Sequence, residues 1–109
     1  MKLLPQWQIS VVTYIELAQG CRNKIELERL KKGLAQRSTQ IVPLTPTISE
    51  CATQLIEQYS LSNGLQLADA LIAATAIEHR LTLLTANVKH FSTIGGLSLV
   101  RFNPDALDP

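Results

Sequence analysis

Residues 67–77 read LADALIAATAI, a stretch that is helical in composition and apolar nearly all the way round. Such a helix has almost no solvent face and is buried on several sides. Whatever else the chain forms must therefore cover it. Short aliphatic or β-branched runs occur before and after it, at residues 8–12 (QISVV), 40–44 (QIVPL), 81–85 (LTLLT) and 97–102 (LSLVRF). Each suits a short buried strand. Strands alternating with helices imply an α/β fold, a three-layer domain whose short parallel sheet is covered on both faces.

The helix signals are local and specific. Thr13 followed by Glu16 is a capping-box pattern, with Val12 and Leu17 in the positions of a hydrophobic staple and Gly20 as a C-terminal stop. A second helix is expected from about Asn23, with Leu27, Leu30 and Leu34 on one stripe and basic residues around the other side. Pro43 argues that the run 40–44 lies at a sheet edge. Thr47-Ile48-Ser49-Glu50 repeats the capping-box pattern, ahead of Ile48, Cys51, Ala52, Leu55, Ile56 and Tyr59 at helical spacing. Asn63-Gly64 ends that helix, and Gly95-Gly96 leads into the last strand. No repeat or linker interrupts the chain, so one domain over residues 1–109 is expected.

Composition closes off several function classes. Aromatics make up 5% of the 109 residues and charged residues 17%, which excludes a disordered tail and points to an aliphatic core. A net charge of +1 rules out whole-molecule electrostatics as the basis of binding. Cys21 and Cys51 lack any CxxC or Cys/His ligand spacing, so two reduced thiols are expected rather than a zinc site or a disulfide. No apolar run approaches the roughly 18–20 residues of a membrane span, and the start has no h-region for a signal peptide. A cytoplasmic protein without a membrane partner is expected. There is no GxSxG elbow, no GxxxxGK[ST] loop and no GxGxxG fingerprint.

Asp69 is the only charged residue between Leu65 and Ile77, and alanines flank it. A carboxylate in such surroundings needs compensation. Two explanations stand side by side, the dipole of its own helix start and a bound cation. Glu16 is accounted for by the capping box, yet it also follows a strand. In open α/β sheets ligands collect beyond the carboxyl ends of strands. Asn87 lies two residues after the strand ending at Thr85, where a turn-supporting role competes with a site role. Arg22, Lys24, Arg29, Lys31, Lys32 and Arg37 face only Glu26 and Glu28 in that stretch, a local excess of four. A solvated helix face and a phosphate- or partner-facing patch are both open readings of them. His79 is expected to serve the dipole at its helix end rather than a metal.

Three blocks, SVVTYIELAQG (10–20), LADALIAATAIEHRLTLLTANVKHF (67–91) and GLSLVRFNP (96–104), resemble consecutive parts of a PIN domain of the VapC type. These are the toxins of prokaryotic type II toxin–antitoxin modules. The resemblance runs over essentially the whole chain. It implies a metal-dependent endoribonuclease with acidic groups around Mg²⁺ or Mn²⁺ at the carboxyl edge of a parallel sheet, which hydrolyses RNA phosphodiester bonds. Matched residue by residue, Glu16 and Asp69 fall on the family's metal-binding acids. Asn87 falls where members carry an acid or an Asn, and completes the catalytic set. Thr13, Thr85 and Lys89 fall at substrate-side positions. An antitoxin protein and a homodimer or higher oligomer are the implied partners besides RNA. The chain shows no counterpart of the family's opening LLDTNVLI-like strand, normally central in the sheet, and the expectation is a shortened PIN-like domain of weak or no activity. Two other classes remain. One is a non-catalytic PIN-like module that binds an antitoxin or self-associates. The other is an unrelated small α/β ligand-binding domain.

Overall fold

The computed structural model describes residues 8–85 and 91–101, and the chain divides into two compact units at Leu44 and Thr45. The elements run β1 (Gln8–Ser10), α1 (Val11–Gln19), α2 (Lys24–Gln36), β2 (Gln40–Val42), α3 (Pro46–Asn63), α4 (Leu67–Glu78), β3 (Thr82–Thr85) and β4 (Ser98–Arg101). The α/β character and the parallel strand pairing are as the sequence implies. The single expected sheet is instead two parallel pairs among the described residues, β1–β2 in the first unit and β3–β4 in the second.

In the first unit Gln8, Ile9 and Ser10 pair with Gln40, Ile41 and Val42. Ser10 and Val42, at the carboxyl end of the pair, are both buried. Val11 and Val12, expected to end the strand, instead begin α1. Ser10 has extended backbone and its Oγ accepts from the Val12 N–H at 3.0 Å. That side chain satisfies one of the donors a helix start leaves open. Thr13 is therefore not the N-cap, and the Thr13–Glu16 capping box is not formed. Asn23 does cap α2, its Oδ1 accepting from the Glu26 N–H at 2.9 Å. Leu27, Leu30 and Leu34 are half-buried, as their stripe predicts. β2 ends at Val42, one residue short of Pro43, which has no N–H to extend the ladder.

The second unit holds the main core. Ile48, Ala52 and Leu55 of α3 pack with Ala70, Ala73 and Ala74 of α4, together with Leu65, Phe91 and Ile94. Alanine at three inward positions of α4 removes side-chain bulk and lets the helices approach closely. Ala70, Ala73 and Ala74 are fully covered at 0% exposure. Thr75, also buried, donates its hydroxyl to Leu71 O at 2.8 Å, so its polar group is met within the helix. α3 starts earlier than its second capping-box pattern suggests. Thr45 Oγ1 accepts from Ile48 N–H at 3.2 Å, and Pro46 occupies the first turn, where its fixed φ suits a helix and its missing N–H is not needed. Gly64 ends α3 in the left-handed region at φ 69, a conformation a side chain would strain, and its N–H donates to Ser60 O. No helix among the described residues is long and apolar enough to cross a membrane. Cys21 and Cys51 are unbridged and half-buried.

Candidate functional site

In the first unit β1 passes into α1 without a loop, so the first turns of α1 stand directly beyond the carboxyl end of the strand. Thr13 and Glu16 are three residues apart there and share a helix face. Thr13 is half-buried and Glu16 exposed. With Ser10 doing the capping, the Glu16 carboxylate is not engaged in a capping box and the local explanation for its presence falls away. Ser10 is the residue that sequence reasoning passed over. Its signal was present, since a serine at the end of QIS precedes the helical run directly.

In the second unit Asp69 lies in the first turn of α4, half-buried. Gln66 takes the N-cap position without a side-chain hydrogen bond, so α4 lacks the cap that Ser10, Asn23 and Thr45 give the other three helices. A carboxylate three positions into the helix is favoured by the macrodipole, by about 0.3–1 kcal/mol. His79, exposed, is the C-cap residue of α4. A three-residue connection then leads into β3. Thr85 is the last residue of β3 and pairs with Arg101 of β4. Asn87 and Lys89 lie outside the described residues.

The structure thus places Thr13 and Glu16 on α1 in one unit, and Asp69 in the first turn of α4 and Thr85 at the end of β3 in the other. Carboxylate oxygens are the donors a hard divalent cation prefers. Their number is short: among the described residues no three His, Cys, Asp or Glu side chains are grouped to hold a metal ion.

The basic stretch around α2 resolves into two parts. Arg22 is engaged by Glu26, with Nη2 and Oε2 2.8 Å apart. Lys24, Arg29 and Lys32 line a shallow hollow with Ile25 and Glu28. All five belong to one helix, so the hollow is the outer face of α2.

The sequence matches the PIN domain family over residues 2–97. Ribonuclease VapC10 of Mycobacterium tuberculosis (strain ATCC 25618 / H37Rv) is 39% identical over 84 residues, covering 76% of this chain and 61% of the relative. This chain therefore spans about three fifths of that relative's length. A toxin–antitoxin complex from Klebsiella pneumoniae has the same fold at a TM-score of 0.72 and 33% identity, over 90% of this chain and 75% of that one. VapBC-1 from nontypeable Haemophilus influenzae gives 0.69 and 28%, over 92% and 78%.

Proposed function

The chain belongs to the PIN domain family, and from that membership we propose that it is an endoribonuclease of the VapC toxin type, hydrolysing RNA phosphodiester bonds with Mg²⁺ or Mn²⁺. Glu16 and Asp69 are the residues that would hold the cation. When bound, a hard divalent ion offsets the negative charge that builds on the phosphate during hydrolysis. The chain's own groups bind and orient. Asn87 holds the phosphate or a water by its amide, Lys89 contacts the RNA backbone, and the Thr13 and Thr85 hydroxyls donate to substrate oxygens.

One observation carries the reading: Asp69 is a half-buried carboxylate in the first turn of α4, flanked by Ala68 and Ala70. Similarity to a ribonuclease and to toxin–antitoxin complexes supports it. The same similarities support an antitoxin protein as partner, and a homodimer or higher oligomer is the assembly proposed with it. Two unbridged cysteines fit a reducing compartment such as the cytoplasm.

A second reading has its own support. The absence of a three-ligand group among the described residues, together with exposed Ile15, Leu17, Ile25, Ile41 and Leu44 in the first unit, favours a non-catalytic module that binds a partner chain. RNA cleavage assayed with Mn²⁺ and with EDTA separates the two. The ribonuclease reading expects cleavage only with metal, reduced roughly a hundredfold or more in Asp69→Asn. Calorimetric Mn²⁺ affinity equal in the parent and Asp69→Ala would remove Asp69 from the site.

A further inference from the structure

Two exposed stripes on different helices share one spacing and have opposite charge. On α2 the stripe is Ile25, Arg29, Lys32 and Gln36. On α3 it is Leu61, Glu57, Gln54 and Glu50, the same intervals counted from the carboxyl end. All of these residues are exposed. Each stripe lies on the side of its helix away from the packed residues, which are Leu27, Leu30 and Leu34 on α2 and Ile48, Ala52 and Leu55 on α3.

Both stripes end in a large apolar side chain in water: Ile25 is 65% exposed, and Leu61 is wholly so. The surroundings differ in sign. On α2 Glu26 is held by Arg22, and Glu28 has Lys24, Lys31 and Lys32 at its i±3 and i±4 positions. Among the described residues neither Arg29 nor Lys32 forms an ion pair. α3 carries Glu50 and Glu57 and no basic residue at all. Lys24 opens α2, the end of a helix where a cation is disfavoured. The last turn of α3, where a cation is favoured, has none.

The stripes match when the helices run antiparallel. With α2 of one molecule against α3 of another, Ile25 meets Leu61 and Arg29 meets Glu57. Lys32 then meets Gln54 and Gln36 meets Glu50. These pairs fall about 6, 10.5 and 16.5 Å along the axes from the apolar one. The amino end of α2 comes beside the carboxyl end of α3, so opposite dipole ends adjoin and Lys24 reaches carbonyls that α3 leaves open. A parallel arrangement would set Ile25 on Glu50 and Leu61 on Gln36. A phosphate backbone would answer Arg29 and Lys32, but it would leave Ile25 uncovered and meet the Glu28 carboxylate.

We propose that α2 and α3 form a docking surface for a second copy of this chain, with the Ile25–Arg29–Lys32 stripe of one molecule seated antiparallel on the Glu50–Glu57–Leu61 stripe of the other. This surface gives the oligomer put forward above its contact. It rests on that reading for self-association alone and needs no ribonuclease activity.

Sedimentation equilibrium of the chain tests it, carried to about 1 mM because one helix pair is at the small end of interfaces. Arg29→Glu and Glu57→Arg should each weaken self-association roughly tenfold or more, since each brings like charges together. Both positions are exposed, so urea midpoints should stay near the parent's. An equimolar mixture of the two variants should associate as tightly as the parent, because each supplies the charge the other has reversed. Leu61→Gln should also weaken association without moving the midpoint. A parent that stays monomeric throughout overturns the surface together with the oligomer. A parent that associates equally well in both single variants, or a mixture no tighter than its components, overturns the surface and leaves the oligomer standing. RNA cleavage decides the ribonuclease reading separately.

Discussion

Arg22 holds Glu26 by three contacts: its backbone N–H donates to Oε1 at 2.8 Å, and its Nη2 and Nε donate to Oε2 at 2.8 and 3.1 Å. The clasp closes the loop ahead of α2 onto the helix's first turn. Arg22 hydrogen bonds, side chain first and then backbone, hold the Glu26 carboxyl below the usual glutamate range, with a smaller contribution from the Arg29 charge. A group with a depressed folded pKa stabilises the fold above the ordinary range and loses that contribution as pH falls through the depressed value. Carbon-detected titration should find Glu26 ionised below the usual glutamate range. Arg22→Ala should bring it part of the way back, because the backbone N–H of residue 22 and the Arg29 charge remain.

Helix α1 offers a direct contrast between two hydroxyls. Ser10 caps the helix and Thr13 does not. Ser10→Ala should therefore destabilise the chain by about 1 kcal/mol. Thr13→Ala should fall within about 0.5 kcal/mol of the parent. Urea midpoints of the two variants decide the assignment, and equal losses would contradict it.

Ile48 of α3 is fully enclosed in the core of the second unit, at 0% exposure. Ile48→Ala removes buried methyl and methylene groups from the core cluster. A loss of about 2–5 kcal/mol is expected from transfer and cavity terms together, measured by denaturant unfolding. Ile48→Val should lose about 0.5–1.5 kcal/mol.

The Cys51 thiol is pushed up from its ordinary value, chiefly by burial and secondarily by the Glu78 carboxylate. Less thiolate is present at any pH below that raised value, so iodoacetamide should label Cys51 more slowly than a free cysteine at about pH 8. Glu78→Gln should recover part of the rate, and burial should keep the rest. Peptide mass spectrometry reads both.

Much of this architecture was legible in the residues. The all-round apolar pattern of α4, the Asn23 start of α2 and the Gly64 stop of α3 each have one physical meaning, and each is found. The helix starts of α1 and α3 were misplaced for one reason: an S/T-x-x-E pattern marks a start only if nothing upstream caps sooner, and Ser10 and Thr45 with Pro46 do. The single sheet was expected because alternation gives strand order along the chain but not which ladders close. For the site, residue type and position relative to strand ends were readable at Glu16, Asp69 and Thr85. Ligand geometry was not, because spacing along a chain carries no information about convergence between segments fifty residues apart.

Neither α1 nor α2 encloses a residue of its own, while Ile15, Leu17 and Ile25 stand in water. A segment so exposed adds little to its own persistence and presents what chaperones and degradative proteases recognise. The cellular lifetime of this polypeptide should then be set by the supply of whatever shields those side chains. Abundance of the chain would track the abundance of its shield.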